Sequence, residues 1–175
     1  MATTGQIAPA SAQAVAESPW SDNNWTNPAD VCADDGSTAY ITSPTFDTND
    51  QSYVLKAQGF DFSEIPDGSA ILGIIARVNA WYRTGVGSGS LDLCQLLDVS
   101  GAKVGTNQCA TPVPLTTNDT TIITKGASDD LWGNALTAAW VKDPDFGIAL
   151  GVLATDNNAD VDIDYVTLEV YYTPP

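Results

Sequence analysis

The residues of this chain that can carry chemistry are its acids and its tryptophans, because histidine is absent. The 175 residues include 22 Asp and Glu, five Trp and no His. Without His the commonest general base is missing, and neither a Ser-His-Asp nor a Cys-His arrangement can be built. No two carboxylates stand out as a glycosidase pair, and there is no Walker loop or dinucleotide fingerprint. We therefore expect a protein that is not an enzyme, with no catalytic residue and no cofactor.

Three groups of acids allow a metal interpretation. One is the run Asp47-Thr48-Asn49-Asp50, a second lies within 156–160, and the third is Asp160, Asp162 and Asp164 on one strand parity. Hard oxygen ligands on loops suit calcium, but no spacing matches an EF-hand loop. The alternative is that these residues supply turns and solvated faces. We expect no metal site, with Arg77 as a possible counter-ion for the third group.

The tryptophans allow a sugar-binding interpretation, because aromatic platforms hold glycans in many sandwich modules. The alternative is that they anchor loops and sheet rims. Trp81 departs from the buried parity of its strand and is expected at a rim. Trp132 follows two acids and precedes Gly133, which predicts a loop tip folded back onto the core. The five are Trp20, Trp25, Trp81, Trp132 and Trp140.

Three cysteines, Cys32, Cys94 and Cys109, exclude complete intrachain pairing. Cys94 and Cys109 flank a turn at Ser100-Gly101 and are expected to face each other across a hairpin. Buried free thiols are one interpretation, and cross-links that stabilise an assembled particle are the other. Their spacing fits no zinc template.

The charge balance argues against two classes of partner. Six basic against 22 acidic residues give a net charge of −16. Such a surface repels phosphate backbones and anionic membranes, so we expect neither a nucleic acid nor a membrane as partner. No apolar run is long enough to span a bilayer. The start, Met1 to Gly5, lacks the basic and apolar regions of a secretory signal, so we expect synthesis in a host cytoplasm and release by lysis.

Hydrophobic alternation predicts an all-β fold with almost no helical periodicity. We expect a two-sheet antiparallel β-sandwich of jelly-roll type with about eight strands. Bulges are predicted at Gly59 and at Tyr165-Val166, where the alternation changes phase, and a short helical turn is allowed around 131–140. The predicted strands cover 37–42, 53–62, 70–82, 91–97, 103–109, 120–125, 146–154 and 161–172.

The domain prediction is an extended N-terminal arm over 1–19 and a single β-sandwich domain over 20–175. The first segment is rich in Ala, Ser, Thr and Gln, contains Pro9 and Pro19, and has too little apolar mass for a core. Such a segment is either a disordered tail or an arm that gains order on a neighbouring subunit.

Two segments resemble a β-sandwich family that is common among the structural proteins of tailed bacteriophages. The first runs Gly59-Phe60-Asp61-Phe62, then Ile65-Pro66, Gly68, Ile71 and Gly73-Ile74. The second runs Asp130-Leu131-Trp132-Gly133, Leu136-Thr137, Phe146-Gly147 and the final strand from Asp164 to Tyr172. The likeness covers about 25–172 and rests on structural residues, so it transfers no catalytic site.

The resemblance implies a virion surface protein. A capsid decoration, or cement, protein is the leading expectation, bound to the major capsid protein on the outer head surface as a homotrimer with the N-terminal arm reaching a neighbour. The alternative is a carbohydrate-binding module of a phage fibre or a bacterial surface adhesin, which makes a glycan a possible partner.

Overall fold

The computed structural model describes residues 1–42 and 44–175, and its regular secondary structure is almost entirely β-strand. Loops of varied length connect them, and a 3-10 turn, Pro28–Val31, precedes the third strand. The strands are β1 Ala2–Thr3, β2 Ser11–Val15, β3 Ala39–Ile41, β4 Val54–Gln58, β5 Ala70–Tyr82, β6 Gly89–Leu97, β7 Lys103–Val104, β8 Val113–Pro114, β9 Ile122–Ala127, β10 Gly147–Ala154 and β11 Val161–Thr173.

The strands form two antiparallel sheets that enclose one core. The first sheet has the order β1-β11-β5-β9, with β3 also paired to β11. The second has the order β2-β4-β10-β6-β7, with β8 also paired to β6. Alternate residues of β5, β11, β4, β10 and β6 are buried between the sheets, because successive side chains of a strand point to opposite faces. The predicted two-sheet antiparallel β-sandwich is confirmed.

Each of the eight predicted strands has a counterpart, and the described residues add β1, β2 and β8. The 70–82 prediction coincides with β5, but its parity is wrong at the start. Ile71 is buried where Leu72 was expected, since Leu72 is left unpaired where β11 passes from Tyr171 to Tyr172. From Ile74 onward the predicted alternation holds, with Ile74, Ala76, Val78 and Ala80 buried.

Gly59 ends a strand and does not form the predicted bulge. β4 stops at Gln58, and Gly59 has φ of 73°, a left-handed conformation that breaks the extended backbone. Phe60 and Phe62 therefore lie in the following loop and not in a strand, with their rings stacked at 5.9 Å between centroids. Both rings are buried in the core, which explains their strand-like hydrophobic pattern.

The N-terminal segment 1–19, predicted as an arm, is extended and pairs with its own domain in both sheets. Ala2 and Thr3 pair with the end of β11, and β2 pairs along the whole of β4. Glu17 binds Lys103 on β7 at 2.8 Å and also pairs with Lys56 on β4. Part of the backbone that an arm would offer to a neighbour is thus paired within the chain, and β1 and β2 form edge strands of their sheets.

The predicted helical turn is present as the helix α1, Ala138–Val141. Its N-cap is Thr137, whose side chain accepts a hydrogen bond from the backbone of Trp140 at 3.2 Å. Across the described residues, no helix has both the length and the apolar character that a membrane crossing would need.

Candidate functional site

The second bulge predicted from the sequence is present and shapes the outer face of the first sheet. Ile163 pairs with Ala80 and Val166 pairs with Val78, so Asp164 and Tyr165 together oppose the single residue Asn79. A bulge of this kind redirects side chains and is over-represented beside functional sites. The side chains of Asp164 and Tyr165 here border the same surface cleft as Asn79.

We call this depression the bulge cleft. It has a volume of about 430 Å³ and combines strand residues with two loops, one before β3 and one before β9. Half-buried Trp81 and Tyr165 supply aromatic surface, while the loop acids Asp34 and Asp119 are exposed. The lining residues are Asp34, Gly36, Asn79, Trp81, Asp119, Thr120, Ile122, Asp164 and Tyr165.

Two buried oxygen atoms of the bulge cleft are left without a hydrogen bond among the described residues. They are Oδ1 of Asn79 and Oδ1 of Asp164, on side chains of residues that are only 5% and 8% exposed. A hydrogen bond from Nδ2 of Asn79 to the carbonyl oxygen of Asp119, at 2.9 Å, fixes the orientation of the Asn79 amide group. An unpaired buried acceptor costs about 1–3 kcal/mol. A ligand that donates hydrogen bonds here would recover that free energy.

The cleft is electrostatically negative. Burial raises the pKa of Asp164, and the nearby charges of Asp34 and Asp35 raise it further, while backbone hydrogen bonds from Gly36 and Asp35 oppose the rise. Burial also raises the pKa of Tyr165, as do the charges of Asp34 and Asp164. Every charged residue that lines the bulge cleft is an aspartate.

The basic residues near the cleft are held in ion pairs. Arg83 binds Asp162 through Nε and Nη2, both at 2.8 Å, and Arg77 binds Glu169 at 2.8 Å. The sequence suggested Arg77 as a counter-ion for the group Asp160, Asp162 and Asp164, but Arg77 pairs with Glu169 instead. Arg83 has that role for Asp162, because it follows β5 at the end where Asp162 faces Trp81.

The acidic clusters serve turns in the described structure. Asp47 accepts a hydrogen bond from the backbone of Asn158 at 2.9 Å, and Asp50 accepts one from the backbone of Asp47 at 3.0 Å. Thr48 donates to Asn157 at 2.8 Å, which ties the two clusters together. Within 1–42 and 44–175, no group of three or more acids or cysteines is placed to hold a metal ion.

Three of the five tryptophans are structural. Trp132 is fully buried and donates from Nε1 to the carbonyl oxygen of Ile74 at 2.9 Å, so the predicted folded-back loop tip is present. Trp25 is buried and donates to Tyr53 at 2.8 Å. Trp20 is buried in a small cluster with Val54, Leu93, Leu97 and Ala149. Their burial excludes these three indoles as a sugar platform in this conformation.

Trp140 lines a second depression, which we call the helix cleft, of about 410 Å³. The only aromatic side chain among the described residues that line the helix cleft is Trp140. Its Nε1 atom is buried without a hydrogen-bond partner among the described residues. The lining residues are Asp98, Val99, Thr137, Ala139, Trp140 and Asp143. The bulge cleft offers more to a polar ligand, since it has two aromatic side chains and two unpaired acceptors.

Cys94 and Cys109 lie together in the core as free thiols, as one of the two interpretations expected. The Oδ1 atom of Asn107 accepts hydrogen bonds from both backbone amides, each at 2.9 Å. The Cys94 thiol donates a hydrogen bond to Cys109, and this bond and burial raise the pKa of Cys94. Cys32 is half-buried and pairs through its backbone with Tyr165.

Sequence reasoning identified Trp81 as a rim residue but did not connect it with Asn79, Asp164 and Tyr165. Two observations were available. Asn79 and Trp81 share the outward parity of β5, and a phase change at Tyr165 places two consecutive residues outside the core. The contributions of the 34–36 and 119–120 loops depend on long-range packing that has no local sequence pattern.

Comparison with known proteins gives little further information. No family model matches the chain, and no curated protein matches it. Among solved structures, the CBM22-1 xylan-binding domain of Xyn10C from Paenibacillus barcinonensis is similar, with 11% identity, 99% of both chains covered and a TM-score of 0.38. A likeness this weak transfers no function.

Proposed function

We propose that this chain is a non-catalytic saccharide-binding module whose ligand occupies the bulge cleft. The observation that carries the proposal is an open depression with two aromatic side chains, Trp81 and Tyr165. It is also lined by Asn79 and Asp164, and each of these residues has a buried Oδ1 atom without a hydrogen bond. Binding sites typically join apolar or aromatic walls to a few convergent polar groups. A sugar ring matches this combination, because it has an apolar C–H face and hydroxyl groups around its edge.

Each part of the cleft has a place in this function. The aromatic rings bury area against the ring face at a low cost in side-chain entropy. The acceptors of Asn79 and Asp164 receive hydroxyl hydrogen bonds and fix the orientation of the ring. The bulge holds the two residues next to each other, and because both oxygen atoms are buried, binding requires these side chains to turn toward the cleft.

A glycan array followed by calorimetry tests the proposal, using wild type, Trp81→Ala and Trp140→Ala. We expect at least one glycan to bind, with about tenfold or greater weakening in Trp81→Ala and unchanged affinity in Trp140→Ala. Loss of binding in Trp140→Ala alone would move the site to the helix cleft. No binding of any glycan to the wild type would contradict the proposal.

The virion role is a separate prediction and rests on the family resemblance. It comprises capsid decoration, binding to the major capsid protein, a homotrimer and a location on the capsid surface. The pairing of segment 1–19 within its own domain removes one of the reasons for it. Mass spectrometry of purified virions, followed by reconstruction of the particle, tests the role. Absence of the chain from the particle would contradict it.

A further inference from the structure

We propose that the bulge cleft selects saccharides that carry a free, protonated amino group over neutral and N-acetylated sugars. The inference rests on the proposed saccharide-binding function and names the class of ligand. It depends on the charge of the lining residues, on the two unpaired acceptors and on the aromatic faces beside them.

The charge argument compares what lines the cleft with what surrounds it. Asp34, Asp119 and Asp164 line the cleft, and no Lys or Arg is among the lining residues. The neighbouring cations Arg77 and Arg83 are bound to Glu169 and Asp162. The lining acids therefore have no cationic side chain among them in the cleft, and a cationic ligand group would gain from their field what a neutral one would not.

The hydrogen-bond argument concerns the unpaired atoms. Oδ1 of Asn79 and Oδ1 of Asp164 are both acceptors, so the site requires donors. An ammonium group offers three N–H donors and no acceptor. A hydrogen bond between an ammonium and the Asp164 carboxylate is charge-assisted, and such bonds are roughly twice as strong as neutral ones. Trp81 and Tyr165 also attract a cation through their ring faces.

A metal ion is the rival cation, and the geometry disfavours it. Calcium takes six to eight oxygen ligands, generally several carboxylates at about 2.3–2.6 Å. Within the part of the chain that the structure describes, no three acidic side chains converge closely enough for that purpose. The acids instead surround a depression of about 430 Å³, which has the volume for an organic ligand.

The test uses three β-1,4-linked tetrasaccharides that differ only at the second carbon of each ring. Glucosamine tetraose has an ammonium group there, N-acetylglucosamine tetraose an amide, and cellotetraose a hydroxyl. Calorimetry is performed below the pKa of the amine, at two salt concentrations, on wild type, Asp164→Asn and Glu64→Gln. The two variants change the net charge equally, from −16 to −15.

Glu64 is a suitable control because it is exposed and distant from the cleft. It lies in the loop before β5, and Asn79 is nine residues along that strand from Ala70, which is roughly 30 Å at about 3.3 Å per residue. Non-specific attraction of a cationic sugar to the acidic surface would respond equally to both variants.

We expect the wild type to bind glucosamine tetraose at least about tenfold more tightly than either of the other sugars. Asp164→Asn should abolish this preference, and Glu64→Gln should retain it. Equal affinities, a preference for the amide, or a preference that survives in Asp164→Asn would overturn the amine inference and leave saccharide binding standing. Calcium binding that is lost in Asp164→Asn would overturn it in favour of a metal site. If no tetrasaccharide and no arrayed glycan binds, the proposed function itself fails.

Discussion

Replacement of Trp132 should show that one buried hydrogen bond fastens the loop before α1 to the sandwich. The indole is fully buried and its Nε1 donates to the carbonyl of Ile74 at 2.9 Å. Trp132→Phe keeps an aromatic ring but removes this buried hydrogen bond, at a cost of about 1–3 kcal/mol. Trp132→Ala removes the ring as well and should cost about 3–5 kcal/mol. For a chain of this length each kcal/mol lowers Tm by roughly 2–4 °C.

Trp140→Phe is the matched control, because its Nε1 is buried without a hydrogen-bond partner among the described residues. Because Trp140→Phe removes this unpaired N–H group, the free energy of unfolding should stay unchanged or rise slightly. The free energy of unfolding is measured by urea denaturation with circular dichroism, since the variants change the tryptophan fluorescence. Equal effects of the two Trp→Phe changes would refute the reasoning.

Gly126→Ala should disturb the same hydrogen bond between Trp132 and Ile74. Gly126 has φ of 77°, and a Cβ atom there would overlap the carbonyl oxygen of Ile74 and the indole of Trp132. We expect Gly126→Ala to lower the free energy of unfolding by about 2 kcal/mol or more. The double variant with Trp132→Phe should lose much less than the sum of the two single losses. Additive losses would show that Gly126 and Trp132 act independently.

Three further predictions concern the rest of the fold. Burial acts to raise the pKa of Glu169, but hydrogen bonds, including the one from Arg77, lower it overall, so the stabilisation by Glu169 is present at neutral pH and lost as pH falls through the lowered pKa. Glu169→Gln should therefore cost about 1–2 kcal/mol at neutral pH and almost nothing in acid, as measured by urea titration at each pH. A cost that does not depend on pH would contradict the pairing. Deletion of 1–17 should lower the free energy of unfolding by about 3 kcal/mol or more, because it removes two paired strands; a truncated chain as stable as the full one would show a detachable arm. Cys94 and Cys109 are buried, so oxidised glutathione should form their intrachain disulfide slowly, when the chain opens locally. The expected product has a mass lower by two hydrogens and a single linked peptide pair on mapping, whereas linkage through Cys32 would contradict the arrangement.

The sequence predicted those parts of the fold that depend on alternation. β5, β10 and β11 were placed within a residue or two, because a sheet with one buried face imposes a period of two on its side chains. The bulge at Tyr165 was found for the same reason, since an extra residue shifts the phase. Phe60 and Phe62 were misplaced because buried loop residues can imitate that alternation.

The candidate site was less predictable, for physical reasons. Trp20, Trp25 and Trp132 appeared available for sugar binding, but each is buried by contacts with distant parts of the chain. The partners of Asp164 depend on how the 34–36 loop folds over β11, which no local pattern records. The pairing of 1–19 was also missed, because short edge strands of small residues carry little hydrophobic signal.

The most direct test of the central claim is saccharide binding by wild type and Trp81→Ala, with Trp140→Ala as the control and amide NMR as a site-specific readout. Binding of a glycan should shift the signals of Asn79, Trp81, Asp164 and Tyr165, and Trp81→Ala should weaken it by about tenfold or more. Shifts confined to residues outside the bulge cleft, or a Trp81→Ala variant that binds as tightly as the wild type, would contradict the account.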